Sequence, residues 1–146
     1  MRLLANGGAR NLRRYKRLYN WLGSHPIFGK TAYHWIKRIE EATRGKYVTS
    51  TLTIYQTLVI MAGLTGKSLK DQKLVKEVVD SIRSLPGLTI IPLTIEDIVQ
   101  ATNLMVKYDL DYEDALHLAT ALRSGAKEIL SNDKDFDKTP LKREFD

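Results

Sequence analysis

The chain has 146 residues, 43% of them hydrophobic, no cysteine and a formal net charge of +6. That length suits one domain around one core, and the lack of cysteine excludes disulfides, thiolate catalysis and cysteine-bound zinc, so any metal must sit on oxygen or histidine ligands. No apolar run approaches the roughly 18 residues of a membrane helix, and the basic start lacks the sustained apolar stretch of a signal peptide, so a cytoplasmic protein is expected.

Residues 1–20 hold Arg2, Arg10, Arg13, Arg14, Lys16 and Arg17 and no acid, which leaves 17 cations against 17 anions in the remainder. The net charge therefore belongs to this arm, and the arm governs any electrostatic attraction to nucleic acid. Residues 1–5 have the composition of a short strand, residues 7 and 8 are glycines that break it, and Asn11 is a candidate cap for a basic helix reaching about Leu22. A disordered arm is the other reading. The main domain is expected over residues 21–146.

From residue 29 to residue 44 a helical period places Ala32, Trp35, Ile36 and Ile39 on one face and Lys37, Arg38, Glu40 and Glu41 outside, in solvent. Residues 47–51 read as a strand rich in β-branched side chains. The nearly all-apolar run over residues 52–62 predicts a helix buried on more than one side and stopped by Gly63. Residues 69–85 repeat Leu74, Val75, Val78, Val79 and Ile82 at helical spacing, and residues 88–91 supply another strand. Thr94 with Asp97 three residues on forms a capping-box signature for a helix running to about Tyr108. A further helix follows the acids at 109–114, burying Ala115, Leu118, Ala119 and Leu122 and ending at Gly125; residues 128–131 form a strand that delivers Asp133, Asp135 and Asp137 beyond its carboxyl end. Strands alternating with helices imply an α/β fold whose strands run parallel under a cover of helices.

Residues 63–68, GLTGKS, mimic the end of a phosphate loop, but the required first glycine falls on Met61 and the segment follows a helix pattern rather than a strand; a helix-ending turn is the better reading. His25, His34 and His117 have no metal-ligand spacing among themselves, although His117 lies one turn after Asp114. Trp21, Tyr33 and Trp35 read as packing residues ahead of a base-stacking platform. The acids carry more. Eight of the 17 fall in the 29 residues from 109 to 137, at the ends of one helix-strand unit. Asp111, Glu113 and Asp114 also suit an N-cap and first helical turn, yet two carboxylate clusters brought together repel unless a cation compensates them. Acids beyond the carboxyl end of a strand lie where open α/β sheets collect ligands, which makes a divalent metal site the functional reading.

The run DALHLATAL followed by ILSNDKDFD resembles the carboxy-terminal half of a PIN domain, the ribonuclease fold of VapC-type toxins in toxin-antitoxin pairs. The resemblance extends over about residues 20–146 through GSHPIFGKTAYHWIKRIEEATRGKYVTSTLTIYQTL. It implies a parallel sheet of about four or five strands flanked by helices, and a Mg²⁺- or Mn²⁺-dependent endoribonuclease. Asp114 and Asp133 match the family's metal-binding catalytic acids, with Asp135 or Asp137 in support. Two family acids are missing: no acid occurs before Glu40, where the family's first strand ends in aspartate, and Gln56 stands in place of a helix glutamate. A glutamine carbonyl still coordinates but brings no charge, so weak metal binding and reduced activity are implied. The start is read as a frameshift or misassigned start, a degenerate strand, or a genuine basic replacement. The resemblance further implies RNA as substrate, a homodimer and an antitoxin-like partner. A non-catalytic module that keeps the fold and binds RNA or such a partner is the alternative.

Overall fold

A computed structural model describes residues 29–145, so the basic arm, Trp21 and His25 lie outside the described residues. Helix α1 spans Gly29–Glu40 and buries Ile36 and Ile39, with Trp35 packed against the same core, as the helical period requires. It ends four residues short of the anticipated 44, and the chain turns back through Gly45 at φ +81. Glu40, placed in solvent by the pattern, is instead only 7% exposed. The end of α1 is packed under a turn: a Cβ on Gly87 would lie 2.5 Å from the Ile39 carbonyl oxygen and 2.6 Å from the Ala42 Cβ. Only glycine permits that approach.

Strand β1, Tyr47–Ser50, runs directly into α2, Thr51–Thr65, because Ser50 is both its last residue and the helix cap, accepting from the Thr53 N–H at 3.3 Å. Gly63 does not stop α2. A glycine inside a helix costs about 1 kcal/mol relative to alanine, too little to end one, and the stop falls at Gly66, whose φ of 65 lets the Lys67 N–H reach the Ala62 carbonyl at 3.0 Å. Burial on several sides does not occur either: Met61 and Ala62 are buried, but Tyr55, Val59, Ile60 and Leu64 are exposed. Helix α3, Gln72–Arg83, starts after Asp71, which accepts from the Leu74 N–H at 3.0 Å, and buries Leu74, Val78 and Ile82. Strand β2, Leu88–Ile91, pairs in parallel with β1, Tyr47 opposite Leu88 and Ser50 opposite Ile91.

Helix α4, Ile95–Tyr108, opens with the reciprocal Thr94–Asp97 capping box that the sequence signals. Helix α5, Tyr112–Arg123, packs on α4 and on Ile129, Phe136 and Leu141 in a second apolar cluster. Arg123 fastens the two helices: its guanidinium donates to both oxygens of buried Asp97 at 2.8 and 2.9 Å and to the Pro92 carbonyl at 2.8 Å. After α5 come β3, Glu128–Leu130, a 3-10 turn at Lys134–Lys138, and a strand unanticipated from sequence, β4, Lys142–Glu144. β4 is parallel to β3 with Glu128 opposite Lys142.

All these pairings are parallel, as the alternation of strands and helices requires. The expectation of one sheet of four or five strands is met only in part: the described residues form two separate two-stranded sheets, β1–β2 and β3–β4. The segment expected to supply the first strand lies outside the described residues. A small pocket is bordered by Val48, Thr49 and Ser50 of β1 and by Glu128 of β3, and the buried Thr49 hydroxyl has no hydrogen-bond partner among the described residues.

Candidate metal centre

Three acids converge at the carboxyl end of β3. Asp114, Asp133 and Asp135 each offer a carboxylate oxygen, and these oxygens lie within 4.8 Å of one another. Local hydrogen bonds fix two of them. Asp111 caps α5 by accepting from the Asp114 N–H at 2.8 Å, which orients the first helical turn and frees the Asp114 carboxylate to face the cluster. Asp133 caps the 3-10 turn, accepting from the Asp135 N–H at 2.9 Å, while its own N–H donates to Ser131 Oγ at 3.1 Å. On α5 capping and metal-ligand duties are divided, Asp111 being the cap and Asp114, three residues on, the ligand candidate, whereas Asp133 both caps the 3-10 turn and offers an oxygen to the cluster.

The electrostatics of the cluster are those of anions short of a cation. Asp114 is half-buried, and its carboxyl is pushed up to about 6, first by burial and then by the charges of Asp111, Asp133, Asp135 and Glu113. Lys138 offers partial compensation, with Nζ 3.1 Å from Asp135 Oδ1, 3.0 Å from the Asp109 carbonyl and 3.4 Å from Asp109 Oδ2. Asp109 supports that bridge from a left-handed conformation at φ 52, where it closes α4. Asp137, proposed from sequence as a supporting ligand, is not brought into the cluster. Its carboxylate is held by Arg143 at 2.7 and 3.2 Å, a pairing that keeps the acid below its usual range, and Arg143 also donates to the Ser131 carbonyl at 3.2 Å.

An open cleft leads into this centre, lined by Gln56, Glu113, Asp114 and His117 and by residues 129–133 and Phe136. Gln56, singled out as a weakened ligand position, does reach the cleft from α2, and His117 faces it from α5. Gln56 Nε2 donates to Glu113 Oε1, and Gln56 Oε1 lies 2.7 Å from His117 Nε2. Glu113 in this cleft, Lys138 behind Asp135 and Arg143 on Asp137 escape a sequence reading. The available signal for the first was the four-residue spacing of Glu113 and His117, which puts both on one helix face. The donor set is oxygen from carboxylates, with an amide carbonyl nearby, and that chemistry fits a hard divalent cation such as Mg²⁺ or Mn²⁺.

A parallel α/β arrangement with carboxylates gathered at a strand's carboxyl end has the layout in which such folds collect ligands. The family model described as PIN domain matches residues 18–142. The chain belongs to the PIN domain family, whose members generally bind RNA and use divalent metal. No curated protein and no solved structure matches the chain. No helix among the described residues is long and apolar enough to cross a membrane.

Proposed function

We propose that the protein is an endoribonuclease of the VapC toxin type, dependent on Mg²⁺ or Mn²⁺ and reduced in activity. The convergence of Asp114, Asp133 and Asp135, with oxygens within 4.8 Å of one another, carries this reading in a PIN-family chain. A bound divalent ion would supply Lewis-acid stabilisation of phosphoryl charge and a more acidic water. The chain's own residues do the rest: Asp114 and Asp133 hold the ion, Asp135 supports it while Lys138 orients its carboxylate, and the cleft beside Gln56 and His117 admits the RNA backbone. Gln56 brings an amide where the family has a glutamate, and no acid precedes Glu40 where the family's first strand ends in aspartate, so two of the family's four acids are missing. A cytoplasmic homodimer inhibited by an antitoxin-like protein belongs to the same proposal. So does a single parallel sheet of four or five strands, as the alternation of strands and helices suggests.

The Gln56 amide also favours a second reading, a non-catalytic PIN module that binds RNA or an antitoxin-like partner. Two measurements separate them. Calorimetric titration with Mn²⁺ is expected to give a dissociation constant on the order of millimolar, weakened by D114N or D133N. Micromolar binding unchanged in D114N/D133N would overturn the site. Purified chain with RNA and Mn²⁺ is expected to cleave slowly or not at all, and robust cleavage abolished by D114N would remove the second reading.

A further inference from the structure

We infer that Glu113, held by Gln56 at the wall of the acid cleft, supplies the negative charge that position 56 lacks, and that Gln56 is its positioning residue. The inference rests on the metal-site reading above and names further residues of that site. Gln56 lies on α2 and Glu113 in the first turn of α5, 57 positions apart in sequence, yet the Gln56 Nε2 donates to Glu113 Oε1. A carboxylate only accepts, so the amide nitrogen faces Glu113, the amide oxygen faces His117 at 2.7 Å, and His117 Nε2 carries the proton between them. The three side chains form one hydrogen-bonded chain along the cleft wall.

Without that chain Glu113 would be an ordinary exposed residue of a first helical turn, free to sample solvent rotamers. With it, the carboxylate is turned into the cleft, where its charge reaches Asp114. A glutamate at position 56 would repel Glu113; a glutamine binds it. The pair thus carries one negative charge, the same as a single glutamate at position 56. Glu113 is not among the acids whose oxygens lie within 4.8 Å of one another, so its action on the cation is electrostatic and through water.

The test is Mn²⁺ affinity of the full chain, read by calorimetry and by loss of the free-ion paramagnetic resonance signal, with circular dichroism confirming that each variant folds. E113Q is expected to weaken binding about ten-fold, the effect of losing an outer-shell partner, and Q56L to weaken it by a similar factor through release of Glu113. The exchanged pair Q56E/E113Q, which keeps one amide and one carboxylate, is expected to restore affinity to within about three-fold of the unmodified chain. Unchanged affinity in E113Q, with loss in D114N, overturns the role of Glu113 and leaves the metal site standing. Unchanged affinity in D114N, or no Mn²⁺ binding by the unmodified chain, overturns the metal site and this inference with it.

Discussion

Asp114 shows how one side chain can be kept at the expense of stability. Its carboxyl rises from the ordinary 3.8 to about 6, through burial first and neighbouring acids second. Because the folded state holds the proton more tightly than the unfolded chain, stability falls as pH rises from about 4 to about 6, and the full penalty applies above that window. The shift would correspond to about 3 kcal/mol in a dry site; Asp114 is half-exposed, and screening reduces this to about 1 kcal/mol. D114N, with chelator present, should therefore raise the thermal midpoint at pH 7 and leave it unchanged near pH 3.5. Thermal melts of both proteins across that range check it, and a D114N protein less stable at pH 7 would show that the carboxylate is held by attraction instead. Added Mn²⁺ should stabilise the unmodified chain and reverse the order. The neighbouring acids teach a related lesson about legibility. By spacing alone Asp137 is the equal of Asp135; what separates them is Arg143, six positions further on, and only the fold brings that guanidinium to one and not the other.

At the scale of elements, amphipathic periodicity and caps are what the sequence states most clearly. Helices α3 and α4 fall where their apolar repeats place them, and the Thr94–Asp97 box closes as its spacing requires. Legibility fails where the deciding partner is remote. Strand β4 reads KRE, has no apolar alternation, and exists because β3 offers it a parallel edge. Glu40 sits on the polar side of its helix and is buried all the same, and the neighbouring end of α1 is met by a turn that arrives from beyond residue 80. That turn yields a sharp prediction. A methyl group at Gly87 would meet a backbone carbonyl at 2.5 Å and the Ala42 side chain at 2.6 Å, and backbone cannot move aside as a flexible side chain does. G87A should destabilise the protein by about 2 kcal/mol, the usual scale of overpacking, through separation of α1 from the β1–β2 pair. Urea denaturation measures it, with G63A as the control: nothing lies within 4 Å of a Cβ at Gly63, inside α2, so that substitution should be neutral or stabilising. Equal behaviour of the two variants would remove the close packing at Gly87 from the account.

Over the whole molecule, the α/β class and the parallel strand direction follow from the order of elements, and the DALHLATAL and NDKDFD runs supply Asp114, Asp133 and Asp135, which the fold brings together. The architecture between those segments is less legible, because strand partners depend on contacts far apart in sequence and β1 and β3 each find a neighbour without pairing to one another. Charge distribution, by contrast, is a sum over residues, and it gives the last prediction. All of the net +6 resides in the six cations of residues 1–20, so if the protein binds RNA as proposed, most of the counterion release should come from them. Each neutralised phosphate on a single strand contributes roughly 0.7 to the slope of log affinity against log salt, so six contacts would contribute at most about 4 units. Replacing Arg10, Arg13, Arg14, Lys16 and Arg17 by glutamine in the full chain should flatten that slope by at least about 2 units and weaken binding most at low salt. The acid cleft repels phosphate in the absence of divalent ion, so the measurement is made with Mg²⁺ present and with chelator. A slope that flattens equally in both conditions assigns the attraction to the arm, whereas equal slopes for the substituted and unmodified chains would remove the arm from RNA binding altogether.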